Sequence, residues 1–288
     1  MEKTNNNEDL HRDVMMMPNT YMPTTPLTIG MKAPDFMADT TFGAAKMSDY
    51  TGRWLVFFSH PGDFTPVCTT EFIAFAKYYP EFTKRNASLL GLSIDSTSSH
   101  LAWVYNIYKM TGIPIPFPVV ADRNMAIARM YGMLPSDQNA TQTVRSVFII
   151  DPEQKIRAIL LYPMTNGRNI PEILRLLDAL QTTDSENVVT PANWMPGQPV
   201  IVPYPKTYAE LLERVKNPTG YSCMDWYLCF KNGSDYVQPM METQPIFNNT
   251  MGTMVPPANT NMCPNGYMCQ NNYMNQNDYM NQNGYMNQ

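Results

Sequence analysis

The chain has 288 residues, 44% of them hydrophobic, and a formal net charge of −5, enough for a full core and one or two domains. That charge leaves no electrostatic footprint for nucleic acid or an anionic membrane surface, and no stretch approaches the ~20 apolar residues of a membrane helix. Five cysteines are too few for a disulfide scaffold of this length, and MEKTNNNEDLHRD at the start has no apolar region of a secretory signal, so the expected compartment is a reducing cytoplasm.

Residues 1 to about 25 are polar and Met-rich and read as a loose tail. The continuous apolar run WLVFFS (54–59) predicts a buried strand, and TTEFIAFAKYYPEF a helix. SLLGLSID (88–95) is a second buried strand. In SSHLAWVYNIYKM, Leu101, Val104, Tyr105 and Tyr108 fall at i, i+3, i+4 and i+7, the spacing of one helical face, with Ser98 or Ser99 as cap. MAIARMYGML is a short helix ended by Gly132. VRSVFIID (144–151) and KIRAILLY (155–162) form a hairpin about the turn Asp151-Pro152-Glu153-Gln154. IPEILRLLDALQ (170–181) is an amphipathic helix with Ile170, Ile173, Leu174, Leu177 and Leu180 on one side. Alternating strands and helices followed by an antiparallel hairpin predict an α/β core around a mixed sheet.

The Pro-rich TPANWMPGQPVIVPYPKT then leads to a helix, YAELLERVKN, and to GYSCMDWYLCF. This stretch lacks a strong core of its own and has the character of an arm packing on something else. Beyond about Pro239 the composition shifts to Asn, Met, Gln, Tyr and Pro, with Lys231 the last basic residue. Tyr-Met recurs at 267, 273, 279 and 285, with too few apolar groups per unit to bury a core. This tail is expected to be low-complexity and disordered.

The chemistry centres on HPGDFTPVCTTEF. A strand feeds a polar loop stiffened by Pro61 and Pro66, and a helix begins near Cys68. A thiol in a helix's first turn faces unpaired N–H groups and the positive end of the dipole. Both favour the thiolate, which is the nucleophile. Thr65, three residues earlier, offers a hydroxyl to the sulfur or to a substrate oxygen. The alternative is an inert buried cysteine, but a packing cysteine needs no such loop.

HPGDFTPVCTTEF resembles the peroxidatic motif of the peroxiredoxins, nearest the one-Cys-type subfamily with its long archaeal thioredoxin peroxidases. SIDSTSSHLAW, PFPVVADRNMAIARMYGML, RSVFIIDPEQKIRAILLYP, GRNIPEILRLLDALQ and PANWMPGQPVIVP resemble that branch in the same order, over roughly residues 27 to 235. The resemblance implies a thioredoxin-like fold with a C-terminal dimerisation arm. Four segments are expected: a tail at 1–25, a peroxidase domain at 26–187, the arm at 188–238 and the low-complexity tail at 239–288.

The implied reaction is reduction of hydrogen peroxide or an alkyl hydroperoxide through a Cys68 sulfenic acid. Thr65 would orient the peroxide, Pro61 shield the sulfenate, and Arg145 sit against the thiolate. His60 would lie near the sulfur, or else be a strand-end histidine satisfied by backbone. Arg168 matches a second arginine of the branch, and His100 reads as structural. CMDWYLC resembles the arm segment of the archaeal-type members, with Tyr227 and Leu228 departing from the usual aromatics. By that match Cys229 would resolve the sulfenate across a dimer, with Cys223 a second exchange partner and a thioredoxin-like protein the reductant. Two packing cysteines are the alternative. No cofactor, metal, nucleic acid or membrane is implied, and by the resemblance the assembly would be a homodimer or a ring decamer of dimers.

Three rival readings carry less. The phospholipase activity attributed to some mammalian members would need a serine in the turn before the first long strand, where YTGRWLVFF has Arg53. A purely structural role would exploit the tails but leaves the intact Pro61, Thr65, Cys68, Arg145 set unexplained. A thiol–disulfide oxidoreductase lacks its C-x-x-C. Cys263 and Cys269, in the tail, carry no assignment.

Overall fold

The computed structural model describes residues 26–136, 141–217 and 219–231. Both tails, the Tyr-Met repeats, Cys263 and Cys269 lie outside the described residues.

The frame is a seven-stranded mixed sheet. The hairpin of β1 (Met37–Thr40) and β2 (Gly43–Lys46) forms one edge and was not anticipated from sequence. It is joined through β5 (Val119–Ala121) to β4 (Ala87–Ser93) and β3 (Trp54–Ser59), which run parallel to one another. β6 (Arg145–Ile150) and β7 (Ile156–Tyr162) complete the other side as the expected antiparallel hairpin.

β3 is buried along its whole length, and its alternate side chains serve two cores, as the pleat dictates. Trp54, Val56 and Phe58 join a cluster with Phe72, Phe75, Trp103, Ile173 and Leu177. Leu55 and Phe57 face the opposite cluster, with Met47, Tyr131 and Phe148. The first cluster is covered by α1 (Pro66–Lys84), α2 (Thr97–Thr111) and α4 (Ile170–Glu186), and the second by α3 (Ala126–Met130) and the β1–β2 side. This arrangement is a thioredoxin-like fold.

Helix α2 departs from the expected face. His100, Trp103 and Ile107 are buried, while Leu101, Tyr105 and Tyr108 are 49%, 62% and 50% exposed. The 3.6-residue period is present but rotated, because the indole of Trp103 and the ring of His100 go inward. Its cap is Ser96, whose hydroxyl accepts from the Ser99 N–H at 3.2 Å, rather than Ser98 or Ser99. α4 keeps the expected face, with Ile170, Ile173, Leu174 and Leu177 buried and Leu180 packed at the margin.

The arm begins against α4, where Ala179, Val188, Trp194 and Val200 form a small cluster. A three-stranded sheet follows, ordered β8 (Val200–Ile201), β10 (Leu228–Lys231), β9 (Ser222–Asp225). Helix α5 (Tyr208–Lys216) buries none of its residues and leaves Val215 61% exposed.

Candidate active site

The site is built where β3 gives way to α1. Loop residues 60–65 connect them, with Phe64 at φ 55°, a left-handed conformation unusual for a bulky residue. Thr65 is the N-cap residue in extended conformation, and Pro66 opens the helix, where its missing N–H costs nothing. The Thr65 hydroxyl donates to the Gly62 carbonyl at 2.8 Å. It therefore closes the loop on itself, instead of bonding the sulfur as one sequence reading allowed. Pro61 is buried at the start of the loop.

Cys68 is the third residue of α1 and is fully buried. Arg145, at the start of β6, is also buried and brings Nη1 to 3.3 Å from the Cys68 sulfur. The same nitrogen donates to Glu71 Oε2 at 2.7 Å, while Nε and Nη2 donate to the Met164 carbonyl at 2.9 and 2.7 Å. Arg145 is thus a clamped interior cation.

Glu71 lies one turn beyond Cys68 and is only 3% exposed. It also accepts from Arg168, at Oε1 from the backbone N–H and Nε (2.8 and 2.9 Å) and at Oε2 from Nη2 (2.7 Å). Arg168 Nη1 donates to the carbonyls of Ser59 and Ser146, and its guanidinium lies 5.0 Å over the Phe58 ring. Burial alone would push the Glu71 carboxyl up, but its contacts with Arg168 and the charge of Arg145 outweigh that and hold it below the usual carboxylate range. Two guanidiniums stand against one carboxylate, so a positive charge is left over in contact with the sulfur.

His60, at the end of β3, is fully buried and stacks on Trp103 at 5.1 Å. Its Nε2 is 3.1 Å from Asp63 Oδ1, and its Nδ1 has no hydrogen-bond partner among the described residues. Burial, only partly opposed by Asp63, pulls the His60 pKa below the ordinary value and keeps the ring neutral. His100, from the start of α2, meets the same carboxylate.

The arm cysteines pair with each other. Cys223 on β9 and Cys229 on β10 are directly opposite in register and joined by a disulfide, while Cys68 is free. Cys229 is fully buried and Cys223 is exposed. The structure therefore gathers Cys68, Thr65, Pro61, Arg145, Arg168 and His60 about one loop and helix start, and holds Cys223 and Cys229 together in the arm.

Sequence reasoning missed Glu71, Asp63 and the partnership of His100. The available signal was an acid in TTEF one turn from Cys68, beside the inward Phe72. The spacing of three scattered histidines gave no hint that two of them converge on Asp63.

A profile of the AhpC/TSA family matches residues 29–159, and one for the C-terminal domain of 1-Cys peroxiredoxin matches 179–217. Peroxiredoxin 2 of Caldanaerobacter subterraneus subsp. tengcongensis is 62% identical over 203 residues, covering 70% of this chain and 92% of that protein. A peroxiredoxin of Aquifex aeolicus is 53% identical over 214 residues, covering 70% and 96%. Among solved structures, the yeast mitochondrial 1-Cys peroxiredoxin matches with a TM-score of 0.64 and 44% identity, covering 71% of this chain and 99% of that one. A cysteine-to-serine variant of peroxiredoxin 6 of Arenicola marina gives a TM-score of 0.64 and 36% identity, covering 71% and 97%.

Proposed function

The chain belongs to the peroxiredoxins, a family of thiol peroxidases, and we propose that Cys68 is its peroxidatic residue, acting on hydrogen peroxide and alkyl hydroperoxides. The observation that carries this reading is the 3.3 Å contact between Arg145 Nη1 and the Cys68 sulfur in a cluster with one surplus positive charge. The thiolate attacks the nearer peroxide oxygen, an S–O bond forms, and the O–O bond breaks. Its electron pair leaves with the far oxygen, which takes a proton to become water or an alcohol, and Cys68 is left as sulfenic acid. Arg145 steadies the thiolate and then the developing charge on oxygen. The loop that Thr65 closes and Pro61 opens shapes the approach of the peroxide, and Arg168 shares the charge of Glu71, so that Glu71 holds Arg145 in place without cancelling its charge. His60 is the neutral imidazole on the loop side.

Resolution by the arm completes the cycle. The Cys229 thiolate of a second copy attacks the sulfenic sulfur, water leaves, and a Cys68–Cys229 disulfide forms. Cys223 then attacks the Cys229 sulfur, Cys68 departs as thiolate, and the Cys223–Cys229 pair results. That pair is the one bonded in the structure, which supports the exchange. A thioredoxin-like dithiol would enter at Cys223, the exposed sulfur, since access governs which sulfur is attacked. The yeast relative is resolved through glutathione/thioredoxin systems. The exposed apolar residues of α5 support pairing of two copies as a homodimer, or as dimers within a decamer. On this reading residues 26–187 are the catalytic domain and 188–238 the pairing arm.

The test is to trap the sulfenic acid with dimedone after one equivalent of peroxide and map the adduct by mass spectrometry. Labelling at Cys68 that vanishes in Cys68→Ser is expected. Labelling confined to other cysteines would remove Cys68 from the chemistry.

A further inference from the structure

The hydrogen-bond geometry behind the Cys68 loop fixes a proton count. His100 Nε2 lies 3.1 Å from the Val120 carbonyl oxygen. A carbonyl only accepts, so Nε2 carries a hydrogen. His100 Nδ1 lies 2.9 and 3.0 Å from the two oxygens of Asp63. An ionised carboxylate also only accepts, so Nδ1 needs a hydrogen too. His60 Nε2 offers a third hydrogen to the same carboxylate. The pair of His100 and Asp63 therefore holds one proton beyond neutral imidazole and carboxylate, and between these two groups imidazole is the stronger base by more than two units.

We propose that His100 is an imidazolium whose charge neutralises Asp63, making it a positioning residue for the loop that presents Cys68. Both side chains are essentially inaccessible, at 0% and 1% exposure, so the pair meets no solvent screening. His60, Asp63 and His100 place three donor atoms within 4.8 Å of one another, the spacing of a metal site. Both nitrogens of His100 are already committed, however, and the cation of the cluster is its own ring.

The other groups facing the pair fit this assignment. Asp95, after β4, accepts the Asp63 backbone N–H at 3.0 Å and the Ser93 hydroxyl at 2.7 Å. Asp122, after β5, is turned to the N–H groups of Ile127 and Ala128. His60 is neutral, and Arg168 acts on it only through space. Burial alone would raise the Asp63 carboxyl, but the hydrogen bonds from His100 and His60 prevail and hold it far below the ordinary carboxylate range.

The consequence is electrostatic. Asp63 stands five residues before Cys68. Unpaired, its carboxylate would oppose a thiolate. Paired with His100 it contributes little net field, and the surplus charge of Arg145 and Arg168 is left to act on the sulfur. The backbone of the loop is held as well, because Asp63 is tied to α2 through His100 and to the end of β4 through Asp95.

The experiment combines nitrogen-15 NMR of the full chain with the pH profile of Cys68 alkylation by iodoacetamide. His100→Gln assigns the ring signals. The prediction is a His100 ring that carries a hydrogen on both nitrogens at neutral pH. His100→Gln should move the alkylation midpoint up by about one pH unit, the scale of one uncompensated nearby charge. The double variant Asp63→Asn/His100→Gln should bring it back, a rescue that a packing role would not give. A His100 ring with one bare nitrogen near neutral pH overturns the charge assignment. A folded His100→Gln protein with an unchanged midpoint overturns the positioning role. Stoichiometric zinc in the purified protein, lost in His100→Gln, would replace the proton with a metal. The consequence for catalysis rests on Cys68 as peroxide-reactive thiol, but alkylation and NMR stay readable if the protein reduces no peroxide, so the two readings fail separately.

Discussion

Arg145 divides a single nitrogen between two partners, the Cys68 sulfur at 3.3 Å and the Glu71 carboxylate at 2.7 Å. The carboxylate is the stronger acceptor, and it is itself held by Arg168 through three further hydrogen bonds. Glu71 thereby aims Arg145 at the sulfur without cancelling the charge of both arginines. The backbone carbonyl of Met164, which takes the remaining donors of Arg145, fixes the plane of the fork.

Arg145→Lys should retain the charge and lose the fork, since a lysine offers one compact ammonium where Arg145 serves three acceptors. The rate of peroxide reaction is expected to fall roughly 100-fold or more, a transition-state loss of about 3 kcal/mol. Arg168→Lys, which leaves the sulfur contact in place, should slow the reaction less and destabilise the fold more. Rate constants and urea midpoints measured on both variants check the contrast.

Glu71→Gln removes the only carboxylate that, among the described residues, either arginine of this cluster contacts. Breaking a buried ion pair from one side costs about 3–5 kcal/mol, and a loss of that order is expected in urea unfolding. The peroxide rate should drop too, because Arg145 is no longer aimed. A variant as stable as wild type would show that Glu71 is dispensable to the network.

The pH dependence of stability follows from the same groups. Glu71 and Asp63 are depressed on folding, so their contribution is present above the unfolded values near 4 and is lost as pH falls through the folded ones. His60 is also depressed, as a base kept neutral by burial. The unfolded chain takes up that proton first, so stability begins to fall as pH drops below about 6.5. Urea midpoints should therefore decline in two stages on acidification, and Glu71→Gln should flatten the lower one.

Cys223→Ser should halt the thiol exchange one step early. Peroxide treatment is expected to accumulate a Cys68–Cys229 disulfide linking two chains, where wild type proceeds to Cys223–Cys229 with Cys68 free. Non-reducing gels and peptide mapping distinguish the two products. A wild-type protein that stops at the Cys68–Cys229 form would show that Cys223 takes no part.

Much of the core was legible because β3, β4, β6 and β7 are continuous apolar runs and α4 keeps a strict period. Helix α2 was read with its face rotated, since Leu101, Tyr105 and Tyr108 are as apolar as the true inward set, and His100 entered the interior only because Asp63 and Val120 supply partners. The β1–β2 hairpin was missed because MADT and GAAK carry almost no apolar signal and bury only Thr40. At the site, Cys68 and Thr65 stood out through their loop. Arg145 and Arg168 were found only through resemblance, because nothing local marks an arginine at a strand start, or one just before a helix, as buried. Glu71 and Asp63 depend on partners 97 and 37 residues away, a relation that no local pattern encodes.

The most direct measurement is stopped-flow fluorescence of the reduced protein mixed with hydrogen peroxide, using Trp103, fully buried and stacked on His60, as the reporter. A fast phase linear in peroxide, present in wild type and Cys229→Ser but absent in Cys68→Ser, is the predicted result. Oxidation of wild type no faster than that of free cysteine would contradict the account.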